Sequence, residues 1–439
     1  MITMVFYLAF YCFGLIKALL GKPIWGLYVY FFCFYFHAPS QYWGESLPDI
    51  RWSLISVLFT VAALCVYPPK RSFRFWRYTE NKLIFIYAFF VIAQTAWVGN
   101  PELHFEYVIL LVKFICLIFL VQNIVHTVKD VKGIIWINVL GAAFLSYYGM
   151  TQTSNGRMEN FGNGAGLDSN LAGMYFATIL VMGGYLLLEK FHKKQLILMF
   201  AMGIVMMGLF MTESRGALIA LGITGVVGIV FRPQTQQKKF IGFGALAIIA
   251  GLTLTGPQII ERFQGMKKDD TGEMEDSSAE SRMVIINSQI EMFKVSPIIG
   301  QGHRSTLLLS TQYIPEQYMT QNNGLRSSHN ITMAILVDHG LIGFVLYFGA
   351  IITALLRIFS YKYPLSKEKE LAPEQQTFSH VQLACILALL CFMIAGQGAN
   401  NKKLEADIWL LALIPLLAGK VKEEKLAQIK NSETQSKNP

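Results

Sequence analysis

Long apolar runs alternate with short polar connections along most of the chain. The runs occupy residues 3–20, 23–38, 52–67, 83–98, 107–125, 134–149, 170–188, 195–211, 216–231, 240–256, 330–358, 380–395 and 405–419. A membrane span needs roughly 17–25 mostly apolar residues. The pattern therefore predicts an all-α polytopic membrane protein with 12–13 transmembrane helices. Run 330–358 is longer than one span and predicts a strong tilt or a break near Gly340. One connection departs from the rule of short loops, a polar segment over residues 257–328. Its first part, Lys267 to Glu280, is acidic. From Ser281 onward Met283, Ile286, Ile290 and Phe293 recur at helical spacing, so Ser281–Lys294 reads as an amphipathic helix ended by Pro297 and Gly300. Such a helix lies on a bilayer surface or covers a cavity. The chain divides into a transmembrane bundle (1–256), the large loop (257–328), C-terminal transmembrane helices (329–419) and a tail (420–439).

Composition narrows the class further. Hydrophobic residues make up 54% and charged residues 15%, where a soluble domain carries about a quarter charged. A soluble enzyme, a disordered chain and a disulfide scaffold are excluded. The net charge of +9 reflects membrane boundaries. One alternating set of connections carries nineteen Lys and Arg residues, from Lys17 to Lys369; the opposite short loops hold five, namely Arg51, Arg157, Arg215, Lys402 and Lys403. The positive-inside rule places the rich set in the cytoplasm and the large loop outside. The first run has no basic n-region or cleavage site, so it is expected to be a retained span. All six cysteines sit in apolar runs with no CxxC spacing, which suggests apolar packing.

Outer-face basic residues break the charge rule. Arg215 lies in Thr212-Glu213-Ser214-Arg215-Gly216, between two apolar runs. It either snorkels and pairs with Glu213 or presents a bidentate fork to phosphate. Arg282 follows Ser281 at a helix start, where a cation opposes the dipole unless an anion binds both. His329, in Ser327-Ser328-His329-Asn330, stands where the loop re-enters the membrane. It is either a capping residue or a general base suited to neutral pH. Asp168-Ser169-Asn170 reads as an N-cap with a polar lining role. Lys113 lies within a span and either snorkels or attracts a lipid phosphate. His303-Arg304 is a candidate acceptor contact. Metal, Walker and G-x-S-x-G signatures are absent from the sequence.

These residues resemble those of the bacterial O-antigen ligase and polymerase superfamily, which includes the protein O-oligosaccharyltransferases. The family's His-Asn, nine residues, Gly-x-x-Gly pattern is matched by His329-Asn330 and Gly340-Leu341-Ile342-Gly343. Its Thr-x-Ser-Arg-Gly-Ala turn is matched by Thr212 to Ala217. Its Ser-Arg helix and Pro-x-x-Gly-x-Gly stretch are matched by Ser281-Arg282 and Pro297 to Gly302, and its polar Asn by Asn170. The stretch around Tyr42-Trp43-Gly44 is similar to the branch associated with exosortase-type sorting systems. Characterised ligases often have twelve spans, one fewer than the runs above.

The resemblance implies a GT-C-type glycosyltransferase of the bacterial inner membrane, working on the periplasmic face. Its donor would be a glycan on undecaprenyl diphosphate. His329 would act as general base, and Arg215 and Arg282 would hold the diphosphate. Asn330, Ser214, Asn170, Arg304 and Lys113 are the substrate-binding candidates. No cofactor or metal is expected, because two Arg residues take the place of a divalent ion. The acceptor would be a lipid A-core sugar, a growing glycan (a polymerase) or a protein hydroxyl. The rival from another class is a lipid-linked glycan transporter, which needs polar residues through the membrane centre. The polar residues gather instead at the outer edge.

Overall fold

The computed structural model describes residues 2–68, 75–153, 158, 167–189, 192–232, 236–242, 244–246, 249, 253, 277–319, 325–361, 373–399 and 405–419. The protein is an all-α polytopic membrane protein. Its helices are α1 (Ile2–Leu19), α2 (Ile24–Tyr35), α3 (Trp52–Val66), α4 (Thr79–Gln94), α5 (Pro101–Ile124), α6 (Val128–Thr151), α7 (Ser169–Leu187), α8 (Lys193–Met211), α9 (Arg215–Val230), α10 (Ser277–Val295), α11 (Ser305–Tyr313), α12 (Ile331–Tyr361), α13 (Pro373–Ala395) and α14 (Ala406–Gly419). Among the described residues, seven are long and apolar enough to cross a membrane: α1, α5, α6, α7, α8, α12 and α13. Helices α3, α9 and α14 are shorter apolar helices.

Helices α7 and α13 form the centre. Their most apolar windows are 72% and 89% buried, against 28% for α1 at the margin. Small residues let these helices approach closely. A Cβ on Gly173 of α7 would come within 2.7 Å of Ser214 Cβ, and one on Gly208 of α8 within 1.8 Å of Ser146 Oγ.

Helix α4 starts at Thr79, four residues before the apolar run at 83–98. Two polar residues of its first turn, Glu80 and Asn81, are buried and paired. Glu80 takes a bidentate contact from Arg357 of α12, and Asn81 donates to Gln122 Oε1 of α5 at 2.7 Å. Away from water each polar group must find a protein partner, and these partners lie far off in the sequence.

The loop helix exists as α10, but its packing face is turned from the one expected. Ile285, Ser288, Gln289 and Met292 are buried, while Met283 and Ile290 are 50% and 40% exposed. Polar Ser288 and Gln289 face inward, where Ser288 Oγ donates to Tyr313 O and Gln289 Nε2 to Thr306 Oγ1. The acidic part of the loop before residue 277 and the tail from 420 lie outside the described residues.

The expected break in α12 occurs at Gly340, with φ 62° and ψ −167°. Two hydrogen bonds of the helix ladder are lost there and are replaced across the loop. Leu341 N and Ile342 N donate to Pro297 O (2.9 Å) and Ile298 O (3.1 Å). Gln301 N and Gly302 N donate to Val337 O (3.2 Å) and Asp338 O (2.7 Å). The Pro297–Gly302 turn is thus spliced into the broken helix. Gly340 acts here as a joint.

The cysteines are free. Cys33, Cys385 and Cys391 are buried packing residues; Cys12, Cys65 and Cys116 are exposed, so the packing reading fails for those three.

Candidate functional site

The Thr212–Ala217 turn reverses the chain between α8 and α9. Glu213 takes a left-handed backbone (φ 51°), a strained conformation that persists where surroundings enforce it. The reversal places Arg215 in the first turn of α9. Thr212 Oγ1 donates to Leu209 O at 2.6 Å and accepts from Ser214 N at 3.3 Å. Ser214 Oγ donates to Asn170 Oδ1 at 3.3 Å. Asp168 caps α7, accepting from Asn170 N (2.8 Å) and Leu171 N (2.9 Å). Arg215, Ser214, Asn170 and Asp168 are therefore one neighbourhood.

A turn that the sequence reading did not single out joins this neighbourhood to His329. After α13 the chain runs through Gly396-Gln397-Gly398. Ile331 N donates to Gly396 O (3.0 Å), Asn330 Nδ2 to Gln397 O (3.1 Å) and Thr332 Oγ1 to Gln397 Oε1 (2.9 Å). A Cβ on Gly398 would lie 3.9 Å from both Gly216 Cα and Arg282 Nη1. The guanidinium of Arg282 thus reaches the residue that touches the neighbour of Arg215. The available signal was a Gly-x-Gly directly after an apolar run, as in Gly300-Gln301-Gly302.

His329 immediately precedes Asn330, whose Oδ1 accepts from Met333 N at 2.9 Å at the start of α12. Its pKa is pushed below the usual imidazole range, first by burial and then by the charge of Arg282, with Arg326 acting the same way and Asp168 opposing. The imidazole is thereby kept unprotonated near neutrality. Arg326 is the second residue missed in the sequence. Its Nη2 donates to Ser281 Oγ at 2.9 Å, and its backbone N to Ser310 Oγ at 3.2 Å. The structure thus gathers the His329 imidazole, three Arg residues and the starts of α7, α9 and α12. Helix N-termini favour anions, so the arrangement suits a phosphate-bearing substrate beside a proton acceptor.

Two candidates lie elsewhere. Lys113 is exposed on α5 and acts electrostatically on Glu405, whose carboxylate also accepts from Tyr30 and Trp409. Arg304 adopts a left-handed backbone (φ 64°), and its N–H donates to Asp338 Oδ2 at 3.0 Å; it belongs to the joint at Gly340. That joint also groups His303, Asp338 and His339, with one donor atom each within 4.8 Å of one another. His339 was not among the candidates read from the sequence.

Residues 172–348 match the family model described as O-antigen ligase. The match spans Arg215, Arg282, Arg326, His329 and Gly340, and agrees with the family that the motifs resemble. No curated protein matches this sequence.

Proposed function

We propose that this member of the O-antigen ligase superfamily, a glycosyltransferase-like membrane enzyme, moves a glycan from undecaprenyl diphosphate to an acceptor hydroxyl on the periplasmic face of the inner membrane. The observation that carries the reading is the convergence of the buried His329 imidazole with Arg282, Arg326 and, through Gly398, Arg215. His329 takes the proton of the acceptor hydroxyl as its oxygen bonds to the anomeric carbon. The bond from that carbon to the diphosphate oxygen breaks, and the electron pair leaves with undecaprenyl diphosphate. Guanidinium groups meet the growing negative charge. Helix α10 covers the site and limits water that would hydrolyse the donor. The acceptor is a lipid A-core sugar, a growing glycan or a protein hydroxyl. Buried polar groups in the spans favour an enzyme over a transporter, because pairs such as Glu80–Arg357 and Asn81–Gln122 bind each other.

Transfer by purified protein from donor lipid to acceptor, with EDTA added at assay time, tests this reading. Activity that appears only with added Mg²⁺ or Mn²⁺ overturns the metal-free chemistry. Deleting the gene and finding which surface glycoconjugate loses its sugar identifies the acceptor.

Arg215→Lys keeps the charge but loses the bidentate fork, so it is expected to lose much of what Arg215→Ala loses in donor affinity. Wild-type donor binding by Arg215→Lys returns the residue to a snorkelling role. The acid limb of the rate profile provides a second check. A base with a depressed pKa keeps working to lower pH. Removing Arg326, which depresses His329, moves the acid limb to higher pH; removing the opposing charge in Asp168→Asn moves it lower. Limbs that stay fixed in both variants contradict His329 as the titrating base. Sidedness is read by labelling single cysteines from outside in a background lacking native ones. Ser277→Cys is expected to react and Ser72→Cys to be protected; the reverse pattern overturns the periplasmic assignment.

A further inference from the structure

The geometry points to a structural site for a first-row divalent transition metal, Zn²⁺ above all, formed by His303, Asp338 and His339 where the loop joins the broken helix. His303, Asp338 and His339 are 8%, 3% and 0% exposed. Their three donor atoms lie within 4.8 Å of one another.

The surrounding hydrogen bonds aim these atoms inward. Gln94, the last residue of α4, donates from Nε2 to Ile299 O and Asp338 O, both at 2.7 Å. Both of its N–H groups are committed, so its Oε1 faces His339 Nδ1 at 2.7 Å as an acceptor. His339 therefore carries its proton on Nδ1, which makes Nε2 the ring nitrogen able to ligate. Histidines that bind metals characteristically donate their other ring N–H to a carbonyl in this way. Asp338 is oriented as firmly. Its Oδ1 accepts from Ser305 N and its Oδ2 from Arg304 N, both at 3.0 Å.

His303 is fixed from two directions. Its backbone N–H donates to His104 Nδ1 at 3.0 Å, and His104 Nε2 bonds Val91 O at 2.8 Å. Its ring stacks on Tyr107, 4.2 Å between centroids and 8° apart. His303 Nδ1 is 3.7 Å from Asp338 Oδ2, too long for a hydrogen bond. The separation is close to that of two ligands on one tetrahedral ion, about 3.4 Å for bonds of about 2.0–2.1 Å. Two imidazoles and one carboxylate select Zn²⁺ or its neighbours over Mg²⁺ or Ca²⁺.

Such an ion would clamp the Pro297–Gly302 turn to α12 and so hold the segment Ile331–His339 that leads from His329. It lies roughly 15 Å along that segment from His329 and touches no reacting group. Being buried, it exchanges slowly, so EDTA added at assay time leaves transfer running.

The test uses full-length protein purified in detergent through a tag free of histidine. Metal content is measured as isolated and after loading with Zn²⁺ and desalting, and Co²⁺-loaded protein is read by visible absorption. About one ion per chain is expected, with Co²⁺ bands typical of nitrogen and oxygen ligands. The double variant His303→Gln/His339→Gln is expected to lose the ion, and His329→Ala to keep it. Less than about a tenth of an equivalent in loaded wild-type protein overturns the site, as does full occupancy in the double variant. Loss of the ion from His329→Ala overturns its assignment to this cluster. Should the double variant fail to fold, the wild-type content and Co²⁺ spectrum decide alone.

Discussion

His329→Ala is expected to slow glycan transfer about 10²–10⁴-fold, the usual contribution of a positioned general base, while donor lipid still binds. The two effects separate because different groups produce them. On the proposed reading the proton acceptor is the imidazole, whose pKa is pushed down by burial and by Arg282. On the same reading, guanidinium groups on α9 and α10 and on the segment before His329 grip the diphosphate. The fold should also survive, because α12 is capped by Asn330 and anchored to Gly396 and Gln397 without help from the imidazole. Transfer and donor binding are measured at matched expression. Normal transfer by the variant removes His329 from the chemistry and leaves it a residue of the turn.

Gly340→Ala is expected to uncouple the loop from the bundle and to abolish most transfer without touching any group that contacts substrate. The backbone at Gly340 (φ 62°, ψ −167°) lies where essentially only glycine settles, at a strain of about 1–3 kcal/mol for other residues. A Cβ there would also meet Ile298 O at 2.4 Å and Gly300 N at 2.7 Å. Both are backbone atoms of the spliced turn, which cannot step aside without breaking the hydrogen bonds that replace the helix ladder. Gly349→Ala in the same helix is the control, since its Cβ would meet only Leu83 Cδ1, at an ordinary 3.5 Å. A lowered thermal midpoint and faster proteolysis of the loop in Gly340→Ala, with Gly349→Ala near wild type, is the expected pattern. Wild-type stability and transfer in Gly340→Ala refute the joint.

The apolar runs located the helices because crossing a bilayer is a local requirement. About twenty apolar residues in succession meet it wherever they occur. The break at Gly340 was legible for the same reason, since run 330–358 outlasts one span. Arg215 and Arg282 stood out as basic residues on the outer face, where the charge rule calls for few, and His329 as the residue where the loop re-enters the membrane.

The tertiary structure decided what depends on partners distant in the sequence. The first turn of α4 is helical and buried because Glu80 meets Arg357 across the bundle. The inward face of α10 is set by Thr306 and Tyr313, which receive its polar side chains, so apolar periodicity misplaced Met283 and Ile290, while Phe293 does pack inward. Arg326 and the Gly396–Gly398 turn entered the site, and His339 met His303, only when separate segments were packed together. No spacing within one segment encodes those meetings. They follow from the demand that buried polar groups be paired away from water, which the assembled bundle alone can satisfy.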